Sequence, residues 1–190
     1  FNTSISGTDI SGLDVTIQTE HIVVSSGVDI GTSGTTVSSV TLEAENALDV
    51  SSGGTSDLQT LVDHFSSGAT LSSTVDVQGG LYASGHVAIS SKVDLDAVID
   101  TIGSVSFSGD VEISDLVSSV TVGAAAAISA GGTVTVKSTS ESDILIDAEA
   151  AISTVEVETK SRTTTTIDDG ASIVHGTGSS NISAVDTTNV

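Results

Sequence analysis

The stretch Val75-Asp76-Val77-Gln78-Gly79-Gly80-Leu81-Tyr82-Ala83-Ser84-Gly85-His86-Val87-Ala88-Ile89-Ser90-Ser91-Lys92-Val93-Asp94-Leu95 governs how this chain folds. Its unit is apolar–x–apolar: Val75-Asp76-Val77, Val87-Ala88-Ile89 and Val93-Asp94-Leu95. Successive side chains of a strand point to opposite faces, so each triplet reads as a short strand with two side chains in and one out. The unit runs on in both directions, as Leu13-Asp14-Val15, Val28-Asp29-Ile30 and Leu48-Asp49-Val50 before it. Val105-Ser106-Phe107, Val111-Glu112-Ile113, Val134-Thr135-Val136, Ile144-Leu145-Ile146 and Val155-Glu156-Val157 follow. Val75, Leu81, Val87, Val93, Ile99, Val105, Val111 and Val117 step by six, and Val75, Val93 and Val111, each 18 from the next, open the same apolar–acid–apolar triplet. Three six-residue sides predict an all-β parallel β-helix, a β-solenoid with roughly 18-residue coils of three short strands. Right-handed winding is the expectation for parallel crossovers.

Composition agrees with that reading. Val (25) and Ile (16) together outnumber Leu (10) about four to one, and β-branched side chains suit a pleated sheet better than a helix. Ser (34) and Thr (26) are abundant, yet Leu, Ile, Val and Phe make up more than a quarter of the chain, enough to build a core. Phe1, Phe65, Phe107 and Tyr82 are the only aromatic residues, which predicts a thin core of stacked Val, Ile and Ala. Pro is absent, as expected where every interior strand must donate to a ladder. Gly pairs at 53–54, 79–80 and 131–132 suit corners at positive φ.

The whole of residues 1–190 reads as a single solenoid segment excerpted from a longer repetitive chain. About ten coils would rise on the order of 50 Å. One stretch departs from the pattern: Leu58, Leu61, Val62 and Phe65 fall at helical spacing behind Ser56 and Gln59, a capping-box arrangement, so 57–65 is a candidate short helix. Both ends of the chain, with Ile5 and Ile10 at one and Ile182, Val185 and Val190 at the other, read as ordinary coils without polar caps.

Charge narrows the function. With 25 acids against Lys92, Lys137, Lys160 and Arg162, the net charge of −21 repels nucleic acid and anionic membranes. No apolar run approaches the roughly 20 residues of a membrane span. Without Cys there is no disulfide or thiolate chemistry. Basic groups and aromatic sugar platforms are scarce, so the expectation is a protein that is not an enzyme and has no cofactor. His21, His64, His86 and His175 are dispersed and form no ligand motif. In the 18-residue register Asp76, Asp94 and Glu112 stack outward about 5 Å apart. Mutual repulsion on the order of 1 kcal/mol would be relieved by a hard cation such as Ca²⁺ or by ordinary screening, two alternatives the residues leave open.

From residue 123 the wording resembles a known class. Ala127-Ile128-Ser129-Ala130-Gly131-Gly132-Thr133-Val134-Thr135-Val136 is followed by an Ala, Glu and Val-rich stretch, Ala148 to Thr159, and then by Thr163-Thr164-Thr165-Thr166-Ile167-Asp168-Asp169-Gly170-Ala171-Ser172-Ile173. With Ser183-Ala184-Val185-Asp186-Thr187-Thr188-Asn189-Val190, these residues resemble the β-strand-repeat regions of giant bacterial exoproteins, the filamentous-haemagglutinin-like surface adhesins. The resemblance covers the chain well from position 123 to Val190, and the rest in style. It implies a secreted or cell-surface β-solenoid serving as stalk, adhesin or matrix fibre. The alternatives carried forward are a self-assembling filament subunit that stacks end to end by β-augmentation, and a β-helix that binds or cleaves polysaccharide. The expected partners are neighbouring coils or copies of the chain and surface glycans.

Overall fold

The computed structural model describes residues 10–52, 70–101, 108–148 and 154–189. Within them the chain forms thirteen strands: β1 (Asp14–Thr19), β2 (His21–Val24), β3 (Asp29–Ile30), β4 (Ser39–Ser52), β5 (Leu71–Val77), β6 (Gly80–Ala83), β7 (Val87–Thr101), β8 (Ser108–Val122), β9 (Ala127–Ala130), β10 (Val134–Ala148), β11 (Thr154–Ile167), β12 (Ser172–His175) and β13 (Ser180–Asn189). They assemble into three sheets, in the order β1-β4-β7-β10-β13, β2-β5-β8-β11 and β3-β6-β9-β12. Each strand pairs in parallel with the strand one coil away. The protein is a parallel β-solenoid, with one strand of each sheet per coil.

The coil is much longer than the step of six predicts. Val40 pairs with Val87 and Val87 with Val134, a spacing of 47 each time, and Val134 pairs with Ser180 after 46. Only the first step of this sheet is short, from Val15 to Val40. The described strands therefore make four coils and the first strand of a fifth, rising about 20 Å rather than 50 Å. The step of six has a different origin. Inward residues of any strand recur at even spacings, and six is even, so Val87 and Val93 share one face of a single 15-residue strand rather than two sides of a triangle. The candidate helix at 57–65 lies outside the described residues.

The inward and outward assignment holds where side chains are described. Val75, Val77, Val87, Ile89, Val93 and Leu95 are buried, whereas Asp76 and Asp94 are only partly covered. Burial stabilises by about 1.5–3 kcal/mol per Val or Ile. Val105 and Phe107 lie outside the described residues, and for Val111, Glu112 and Ile113 only the backbone, in β8, is described.

Two compartments result. The first is a three-sided core, in which Val40, Leu42, Val87, Ile89, Val134 and Val136 of the first sheet meet Ile22, Val24, Val75, Val77, Val120 and Val122 of the second and Ile30, Leu81 and Ile128 of the third. The second is a lateral arm. The long β4, β7 and β10 run past the third sheet, and β5, β8 and β11 return along them, so the two sheets face each other directly. Val93, Leu95, Ala97, Leu116 and Ile144 are buried in this arm.

One residue breaks the parity. Thr159 pairs with Ile113 but Ser161 pairs with Leu116, so β8 has one residue more than β11 between these pairs. Asp115 sits at this bulge with φ of 66°, a left-handed conformation that Asp tolerates better than most residues. Beyond it the even-numbered Leu116, Ser118, Val120 and Val122 are buried, and Val117, the last of the six-step series, is not.

The glycine corners work by close approach, not by positive φ. Positive φ occurs at Gly12, Gly27, Gly31 and Gly170, not at the pairs 79–80 and 131–132. A Cβ on Gly79 would overlap the carbonyl oxygen of Val28, and one on Gly131 that of Ser84, each on the coil before. The pair at 53–54 lies outside the described residues.

Candidate functional surfaces

The expected carboxylate ladder does not form. Asp94 is in β7 of the first sheet, Asp76 in β5 and Glu112 in β8 of the second. The long coil builds other columns instead. Asp49, Asp96, Asp143 and Asn189 are register partners in four successive strands, and Ala47, Asp94, Glu141 and Thr187 form the column two residues before. Asp94, Asp96, Glu141, Asp143, Thr187 and Asn189 border a groove open to solvent on this outer face. Exposed Val98 and Leu145, paired with each other, continue it toward the end of the arm.

This acidic face holds a cation of its own. Lys92 Nζ lies 2.7 Å from Asp94 Oδ2 and 3.1 Å from Glu141 Oε2, bridging two coils. The hydrogen bond to Asp94, reinforced by Glu141, raises the Lys92 ammonium to about 12 against the opposing effect of desolvation. Farther along the outer face Gln18 Nε2 donates to Glu43 Oε2 at 2.7 Å. Asp14 accepts from the Ser39 hydroxyl, and that bond and a second from Ser38 hold its carboxyl below the usual range.

The histidines remain apart. His21 Nδ1 is 3.1 Å from Thr74 Oγ1, His86 precedes β7, His175 ends β12, and His64 lies outside the described residues. Among the described residues no group of three or more His, Cys, Asp or Glu is arranged to hold a metal ion. Among them, too, no helix is long and apolar enough to cross a membrane.

A feature that sequence reasoning missed lies inside. Where the arm leaves the three-sided core, small hydroxyl residues occupy inward positions. Ser91 Oγ donates to the Ser73 carbonyl at 2.7 Å and lies 3.0 Å from the hydroxyls of both Ser73 and Ser118. Ser118 Oγ donates to the Ser91 carbonyl at 3.0 Å and accepts from Thr139 N–H at 3.2 Å. Ser73, Ser91 and Ser118 are essentially inaccessible to water. Small side chains let the two sheets approach until hydroxyls reach backbone carbonyls, and each buried hydroxyl gains a partner. One coil on, Ser138 and Thr165 hydroxyls meet at 2.8 Å, and Thr165 Oγ1 donates to the Ser183 carbonyl at 2.7 Å. The signal in the sequence is serine standing where alternation calls for an apolar residue.

Compared with protein-family models, with curated proteins and with solved structures, the chain matches none.

Proposed function

We propose that this chain is a structural β-solenoid segment of a secreted or cell-surface protein, serving in a stalk, adhesin or matrix fibre. The observation that supports this most directly is the unbroken parallel ladder: in the interior coils every strand is bonded on both sides, through shared columns of Val, Ile and Leu. Such a stack resists pulling and solvent attack because the backbone groups of interior strands are already paired. Outward columns of acids suit a surface that stays hydrated and repels sideways aggregation. The test is antibody labelling of intact source cells with serum raised against residues 1–190. Labelling without permeabilisation, removed by external protease, is expected. Labelling only after permeabilisation would refute the reading.

A second reading, a filament subunit that adds copies end to end, rests on the outermost strands. β12 and β13 each have a single neighbour among the described strands, and Val174 and Ile182 on them are about half exposed. Sheet edges of this kind accept further strands. Light scattering on the 190-residue chain discriminates the readings: mass that grows with concentration supports filament formation, and constant monomer mass opposes it.

A further inference from the structure

Beyond any role as a rod segment, we propose that the arm of the fourth coil contains a binding site for one hard cation, built from Asp186 and the hydroxyls of Ser140, Ser142 and Thr163. The hydroxyl oxygens of these three residues are buried and have no hydrogen-bond partner among the described residues, and Ser140 and Ser142 are 0% and 3% exposed. Orphaned buried hydroxyls are uncommon, because each forfeits its bonds to water without replacement.

Their placement converges. Across the arm, Ser138 of β10 is bonded to Thr165 of β11, and Ser161 of β11 donates to the carboxylate of Asp186 in β13. Asp186 is the register partner of Ser140, and Thr188 that of Ser142. Thr163 falls between Ser161 and Thr165 on the facing strand. Thr163 therefore lies between two links that join the same pair of sheets, Ser140 stands at the register of the second, beside Asp186, and Ser142 is one inward position beyond it. That carboxylate occupies an inward register position: its column runs Asn46, Val93, Ser140, Asp186. Asp186 lies on β13, the outermost described strand of its sheet, and is exposed. Among the described residues no Lys, Arg or His shares the inward positions of β10, β11 or β13; Lys137, Lys160 and Arg162 alternate onto the other face. One carboxylate among neutral hydroxyls makes a donor set that is oxygen throughout.

Oxygen donors select hard cations, and Asp186 with the hydroxyls nearest it in register supplies part of the roughly six to eight ligands that Ca²⁺ accepts, with water to complete the shell. With one carboxylate the affinity belongs at the weak end of such sites, a Kd on the order of 10⁻³ M. This site differs from the outer acidic columns, where charge is denser but every group faces solvent.

The probe is Ca²⁺ alone, titrated into the chelator-treated 190-residue chain at constant ionic strength and followed by backbone amide shifts, with Na⁺ as the second arm. Amides of 138–142, 161–165 and 184–188 are expected to move together and saturate at one ion per chain. Asp186→Asn should weaken this about tenfold or more, and Ser140→Ala with Ser142→Ala should weaken it also, while Asp96→Asn on the outer column should leave it unchanged. Thermal melting with and without Ca²⁺ gives the same comparison for any variant that broadens the spectra. Saturation with Na⁺ at similar concentration would assign the site to monovalent ions and overturn its selectivity for Ca²⁺. The proposal is also overturned if no saturable response reaches these strands, or if Asp96→Asn abolishes it as fully as Asp186→Asn.

Discussion

Val93 and Leu95 in the third coil and Ser140 and Ser142 in the fourth occupy the same two interior columns of the arm, one strand apart. All four are buried. In one coil the sheets are held together by apolar contact. In the next, the same backbone positions hold hydroxyls, and the parallel ladder between the two strands continues without a shift. In this solenoid, then, the ladder carries the geometry and the interior residue sets the energy. A second contrast lies within the hydroxyls. Ser73, Ser91 and Ser118 satisfy one another, while Ser140 and Ser142 find no partner among the described residues. Same residue type and similar burial produce opposite energetic signs, because a buried hydroxyl costs little only when its bonds are replaced.

The largest expected effect falls on the apolar column. Val93→Asp places an unpaired charge in the third coil and should cost about 4 kcal/mol or more in urea unfolding, against under about 0.5 kcal/mol for Asp94→Asn next to it. Equal effects would mean that β7 does not present these faces as described. Next in size is the glycine corner: Gly131→Ala must displace the Ser84 backbone and should cost about 1–3 kcal/mol, whereas Gly34→Ala, in open space, should stay within about 0.5 kcal/mol. Of similar size is the test of the hydroxyl pair. In chelator-treated buffer Ser91→Ala should cost about 1–3 kcal/mol, since it strands the buried Ser73 hydroxyl, and Ser140→Ala should be neutral or slightly stabilising. A loss at Ser140 as large as at Ser91 would show that the orphaned hydroxyl is satisfied after all.

The smallest effects come from titration. The Asp14 carboxyl is held below its ordinary value, so its contribution is present above the unfolded carboxylate pKa and is lost as pH falls through the folded one. Ser39→Ala should therefore flatten the acid limb of the stability curve slightly. Lys92 is shifted the other way: its contribution is complete below its unfolded value and disappears only as pH rises through about 12, so stability near neutrality should not respond to it.

Strand parity is legible in the sequence because it is local. Alternation alone distinguishes Val87, Ile89, Val93 and Leu95 from the residues between them, and these four are buried. Coil length is harder to read, since it depends on which strand lies beside which, and an even step inside one long strand imitates a short coil. The longer period is present all the same. Val87-Ala88-Ile89 and Val134-Thr135-Val136 are 47 apart, as are Asp49, Asp96 and Asp143, but three occurrences at that distance stand out less than eight at six. The carboxylate columns share this difficulty: alternation alone turns Asp76 and Asp94 outward, but which acids share a column follows from coil length. The hydroxyl seam is hidden for a different reason. Serine at an inward position looks like a lapse in alternation until the facing sheet supplies its partner.

The bulge at Asp115 shows what kind of information such a strand stores. A long strand is read two residues at a time, so it has a frame, and Asp115 is a single inserted letter that shifts it. Adding or removing two residues on the arm would leave every side chain on its former face. Adding or removing one would exchange inside for outside as far as the next compensating bulge. Solenoid arms of this kind can thus lengthen or shorten in even steps at little cost, while odd steps survive only beside a residue able, like Asp115, to adopt a left-handed backbone and restore the frame.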